Sequence, residues 1–176
     1  YMSIESQRCR NIDQNSARDS LSLLLKDKII LFGCFNFDDP RKGAQLLKKA
    51  LKRVVINIKK NKSSLVSSLH LVTFGQKGNF IFSDLNIKWT HFGQIESSEK
   101  MNMLYRSADL LASPSIDDLG PAIVQEAFVN DLPIVAFDLG IAQDLVINSV
   151  NGYVVPCFEI NSFADSLTKI LTERLA

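Results

Sequence analysis

Apolar positions along this chain switch repeatedly between two periods. Lys28-Ile29-Ile30-Leu31-Phe32-Gly33 is a short apolar run closed by glycine, the pattern of a buried strand. From Lys42 to about Lys60 the period lengthens: Leu46, Leu47, Ala50, Leu51, Val54, Val55 and Ile58 recur at three- and four-residue spacing and predict an amphipathic helix. Leu69 to Gly75 and Ile87 to Gly93 predict two more strands, each ending at glycine. Residues 79–86 hold Phe80, Ile81 and Phe82 without a clear period. Ser97-Ser98-Glu99 opens a helix through Met103, Leu104, Tyr105 and Ala108, with serine available as its cap. Asp109 to Ser113 is a fourth strand, which Pro114 forbids from continuing.

Beyond that proline come a helix from Pro121 to Val129, a strand Ile134 to Phe137 and a short helix Ala142 to Ile147. An Asn151-Gly152 turn leads to a last strand, Tyr153 to Val155, and Phe163, Leu167, Ile170 and Leu171 mark a final helix. Such alternation predicts an α/β fold, a doubly wound parallel sheet of the Rossmann-like kind with helices on both faces. Residues 1–20 are polar and aperiodic, and read as a linker or loosely docked arm before a domain over 21–176.

Composition narrows the function classes. A hydrophobic content of 46% in 176 residues is enough for one sizeable core. A net charge of +1 offers no global field for nucleic acid or an anionic membrane. The outer face of the Lys42 helix carries Lys48, Lys49, Lys52, Arg53 and Lys59, either a solvated face or a surface that meets anionic lipid. Cys9, Cys34 and Cys157 are widely spaced, which suggests neither a disulfide framework nor a zinc site, and a reducing, cytoplasmic compartment is expected. No apolar run has the length of a membrane span, and no signal-peptide h-region is present at the N-terminus. GxGxxG, the Walker spacing and Ser/His/Asp or Cys/His constellations are all missing; Gly75-Gln76-Lys77-Gly78 reads as a plain turn. His70 and His91 stand alone in apolar strands, where a histidine is usually structural.

The chemistry concentrates between Ser113 and Phe128. There a strand runs into an acidic turn, Asp117-Asp118-Leu119-Gly120, and Pro121 suits the first position of a helix. Free amides at such an end favour an anion, while Asp118 and Glu126 place a carboxylate at two depths of one cleft. A ligand with both phosphate and sugar hydroxyls would use both features. Alternatively, Asp118 caps the helix and Glu126 sits on a solvated face. Arg41 and Lys42, cations in the expected first turn of their helix, oppose its dipole and make better sense beside a bound anion. Gly33, Gly75, Gly93 and the Asp118 turn all follow strand ends, where doubly wound sheets bind ligands.

Pro114-Ser115, then Asp118, seven residues and Glu126-Ala127, resembles the signature of the donor-binding, C-terminal domain of GT-B glycosyltransferases of family 4. Leu132 to Asp138, Gly140 to Val146, Asn151 to Pro156 and Pro40-Arg41-Lys42-Gly43 resemble further family segments in the family's order, so the likeness spans roughly residues 28 to 174. It implies one half of a two-domain retaining enzyme that moves a sugar from a nucleotide-sugar, a UDP-sugar by preference, to a glycan or polyprenyl-linked acceptor. Glu126 would bind ribose hydroxyls, Lys42 and the backbone of Leu119, Gly120 and Pro121 the diphosphate, with Gly33 and Arg41 in the donor site. Gly93 and Ile95 would frame the base, and Asp118, with Lys42, would be catalytic. No metal or cofactor is expected. The missing N-terminal domain would hold the acceptor, leaving this chain inactive alone. Two departures stand out: Asp118 replaces the commoner glutamate, as in an O-antigen and capsule branch, and Cys34-Phe35-Asn36 follows Gly33 where an arginine is frequent. That branch suggests surface-polysaccharide or lipopolysaccharide synthesis, peripheral on the inner face of the cytoplasmic membrane. A non-catalytic nucleotide-binding or partner-docking domain of the same fold is the alternative.

Overall fold

The computed structural model describes residues 12–61, 63–117 and 122–173. Its apolar runs become six strands: β1 (Lys28–Asn36), β2 (Leu69–Gln76), β3 (Lys88–His91), β4 (Leu110–Ser113), β5 (Ile134–Phe137) and β6 (Gly152–Val155). They form one sheet in the order β3-β2-β1-β4-β5-β6, and every pairing is parallel. The helices are α1 (Gln14–Ser20), α2 (Ala44–Asn61), α3 (Ser63–Val66), α4 (Ser98–Ser107), α5 (Ala122–Val129), α6 (Ala142–Leu145) and α7 (Ile160–Thr172). Parallel neighbours need long crossovers, and α2 to α6 lie in them, while the β2–β3 connection carries only a 3₁₀ turn, Ser83–Leu85. The α/β, doubly wound expectation is therefore met.

Every strand but β3 divides its side chains between two cores. Ile30 and Phe32 of β1 join the α2 and α7 side with Leu47, Leu51 and Phe163, whereas Ile29 and Leu31 join Leu104, Tyr105, Val124 and Ala127 of α4 and α5 on the other. This two-sided burial is why the strands read as continuous apolar runs and not as alternating ones. Phe80 and Phe82, in the segment without a period, pack edge-on against Phe37 and Trp89 and extend the first core.

Two sequence expectations are corrected. Within the expected polar arm, residues 14–20 form α1, capped by Asp13, whose side chain accepts from Ser16 N at 3.0 Å. Its Arg18 is only 3% exposed and donates to Ser107 O, Leu25 O and Asp109. A polar surface composition concealed a buried cation, because two of these guanidinium bonds, to Ser107 and Asp109, go to groups far away in sequence. The remainder of the expected arm, residues 1–11, lies outside the described residues. The second correction concerns α2, which begins at Ala44 and not at Lys42. Pro40–Lys42 forms a 3₁₀ turn, capped by the Asp39 side chain accepting from Arg41 N, and ends at Gly43 with φ +74°. Arg41 and Lys42 thus precede the helix, and the left-handed Gly43 separates them from it.

Candidate functional site

The strand order reverses between β1 and β4, and a cavity of about 550 Å³ opens at the strand C-termini there. Gly33 and Cys34 of β1, Gly75 of β2 and the Ser113-Pro114-Ser115 end of β4 reach it. From its flanks come Lys42, Ile95, Tyr105 and Glu126.

Of the residues singled out from sequence, Gly33, Lys42, Ile95 and Glu126 share this cavity. Gly93 sits beside it with φ +69°, and its carbonyl accepts from Gly75 N at 2.8 Å, tying the β3–α4 loop to the end of β2. Arg41 is not brought in. Its guanidinium makes two bonds to Asp39, at 2.8 and 3.1 Å, and approaches Asp117 at 3.9 Å. The Arg41 main chain does the local work, its carbonyl accepting from Ile116 N at 2.9 Å and from the Ser115 hydroxyl at 3.1 Å. Asp118, Leu119, Gly120 and Pro121 lie outside the described residues.

Lys42 is delivered by close contact between two turns. A Cβ on Gly43 would fall 1.9 Å from the carbonyl oxygen of Pro114, so only glycine lets the Pro40–Lys42 turn dock on the end of β4. Lys42 acts electrostatically on Cys34: burial pushes the thiol up to about 12, with the Lys42 charge opposing that rise. Cys34 is accordingly a neutral, unreactive wall at physiological pH. Gly33 has its own steric reason, since a Cβ there would lie 2.2 Å from the Phe74 ring.

Glu126 is held from two directions. Its main-chain carbonyl accepts from the side-chain amide of Asn130 at 2.9 Å, which secures the last turn of α5 before Asp131 turns left-handed at φ 56°. Its carboxylate Oε2 accepts from the Tyr105 hydroxyl at 2.6 Å. Tyr105 is 1% exposed, and burial, with the Glu126 charge beside it, pushes its hydroxyl far above the usual phenol range. Sequence reasoning placed Tyr105 only as an apolar helix position. The available signal was the phenol itself, because a buried tyrosine hydroxyl needs a partner. Ser115 and Gly43 went unweighted for a similar reason: their contacts are visible only once two turns meet.

Neither histidine lines this cavity. His70 Nδ1 faces the buried carboxylate of Asp27 at 3.0 Å and Nε2 faces the Thr90 hydroxyl at 2.8 Å, while Lys88 balances Asp27 at 2.6 Å. Among the described residues, no group of three His, Cys, Asp or Glu side chains could hold a metal ion, and no helix is long and apolar enough to cross a membrane.

The cavity therefore sets an ammonium group on one wall and an exposed, anchored carboxylate on another, with apolar Phe74, Ile95 and Met101 between strand-end glycines. Such a site can hold an anion next to a hydroxyl-bearing ring and an apolar-faced one.

No curated protein matches the chain in sequence. Among solved structures, WaaG, a glycosyltransferase involved in lipopolysaccharide biosynthesis, superposes with a TM-score of 0.74 at 20% identity, over 91% of this chain and 42% of its own. TarM from S. aureus, solved in complex with UDP and other ligands, gives 0.68 at 20% identity, over 84% of this chain and 29% of its own. The C-terminal domain of the group 1 family protein LpcC from Francisella tularensis gives 0.69 at 19% identity, over 93% of this chain and 84% of its own. This chain thus spans less than half the length of the first two. At these identities the likeness establishes a shared fold. The family model described as "Glycosyl transferases group 1" matches residues 13–175, nearly the whole chain, so the chain belongs to the group 1 glycosyltransferase family.

Proposed function

We propose that this chain is the donor-binding half of a retaining glycosyltransferase of GT-B family 4, taking a nucleotide-diphosphate sugar, a UDP-sugar by preference. The observation that carries this reading is the convergence of Lys42 and Glu126 in the cavity at the β1/β4 switch point. Glu126 accepts the ribose hydroxyls. Lys42 and the amides near Gly120 hold the diphosphate, with Gly33 in the donor site. Gly93 and Ile95 frame the base, and Asp118 orients the transferred sugar. Departure of a diphosphate requires stabilisation of developing negative charge, which a lysine and helix amides supply without a metal or other cofactor. Arg41 has a supporting part, bracing the Ser115 turn through its carbonyl.

The acceptor, a glycan or polyprenyl-linked saccharide of surface-polysaccharide or lipopolysaccharide synthesis, is expected to bind an N-terminal partner domain. UDP in the TarM complex and the pathway of WaaG lend support to donor and context. The exposed Lys49, Lys52, Arg53 and Lys59 of α2 form the surface that would meet the inner face of the cytoplasmic membrane, which sedimentation with anionic against neutral vesicles checks.

Ligand-detected NMR with UDP, GDP and ADP, on the chain and on Glu126→Ala, tests the proposal. One nucleotide is expected to bind, and to lose its signal in the variant. Failure of all three to bind at millimolar concentration, or equal binding to Glu126→Ala, would overturn it.

A further inference from the structure

Glu126 occupies the exposed side of α5, and an unrestrained glutamate there would sample several rotamers. Here a second element reaches it and engages its carboxylate. Tyr105, on α4, is buried with its ring edge-on to Phe74 at 6.4 Å, and Phe74 in turn lies over the bare Cα of Gly33. A chain of contacts thus runs Gly33, Phe74, Tyr105, Glu126 across one wall of the cavity. At its end the Tyr105 hydroxyl donates to Oε2 at 2.6 Å, a short bond to a charged acceptor.

We propose that Tyr105 is a positioning residue for Glu126, committing Oε2 to the protein so that Oε1 and the remaining lone pair of Oε2 face a ligand with adjacent sugar hydroxyls. The inference rests on the nucleotide reading of the cavity and adds how that site discriminates. A carboxylate fixed beforehand loses little freedom on binding, so its preference for a ligand hydroxyl is sharp. The buried phenol stays protonated, and thus a donor, throughout the physiological range.

The experiment is a thermodynamic cycle. Dissociation constants for UDP and 2′-deoxy-UDP are measured by titration on the chain, on Tyr105→Phe, which keeps the ring and its contact with Phe74, and on Glu126→Gln. Thermal unfolding shows that each variant is folded. The unaltered chain is expected to prefer UDP by about tenfold, the scale of one hydrogen bond to a charged group. In Tyr105→Phe, UDP should weaken by about the same factor while 2′-deoxy-UDP binds as before, so that the preference collapses, and Glu126→Gln should reproduce the collapse. Equal weakening of both ligands in Tyr105→Phe would show a scaffold role only, and undiminished preference would show no role; either result overturns the inference and leaves the nucleotide site standing. Absence of any preference in the unaltered chain would overturn the ribose role of Glu126, and the inference with it.

Discussion

Gly43 shows what a single residue decides. It holds φ +74° with its missing Cβ 1.9 Å from the Pro114 carbonyl oxygen, so the distance between the Lys42 turn and the end of β4 depends on it. Gly43→Ala is expected to lower stability by about 2 kcal/mol, the sum of left-handed strain and a contact that must give way. A shift in the urea midpoint measures it. The same variant should weaken nucleotide binding by moving Lys42; in stability, Gly93→Ala, whose Cβ meets no protein atom within 4 Å, carries only the conformational cost. At this scale the sequence singled out Lys42, Ile95 and Glu126 by their match to a known signature, and the fold brings all three to one cavity. Tyr105 was not singled out: its apolar helix position already explained it, and its hydroxyl partner lies 21 residues away on another element.

Elements were legible wherever one period persisted. The apolar stripe of α2 and the short runs of β1, β2, β4 and β5 became what they predicted, and Ser97 caps α4 by accepting from Lys100 N. The failure at α1 has a definite cause. Arg18 and Gln14 spend their donors on Ser107 O and Ala108 O, carbonyls at the end of α4, so a polar segment is held by long-range bonds that no local pattern reveals. At the other end of the sheet from the cavity, His70, Asp27, Lys88 and Thr90 link β1, β2 and β3. Burial lowers the His70 pKa below its ordinary 6.5, with Asp27 acting against that fall. Between the folded value and 6.5 the unfolded chain binds the additional proton, so stability is complete above about pH 6.5 and declines as pH falls through that window. Denaturation midpoints between pH 7.5 and 5 should show this decline, and His70→Gln should flatten it.

For the whole molecule, division of labour is the testable property. This chain covers 42% of the length of WaaG and 29% of that of TarM, and the proposed reading assigns the acceptor to a separate domain. The chain alone is expected to bind nucleotide and to transfer no sugar; product detected from a UDP-sugar with any acceptor, using radiolabelled donor, would show the catalytic machinery to be complete here. What the sequence by itself determined was the alternation of elements, the parallel sheet it requires and the family signature, since these follow from periodicities and spacings within short stretches. Only the tertiary structure decided that Gly33 makes way for Phe74, that Gly43 admits Pro114, and that Tyr105 holds Glu126. Each of those is a contact between segments distant in sequence, and it exists only after the sheet order brings β1, β2 and β4 side by side.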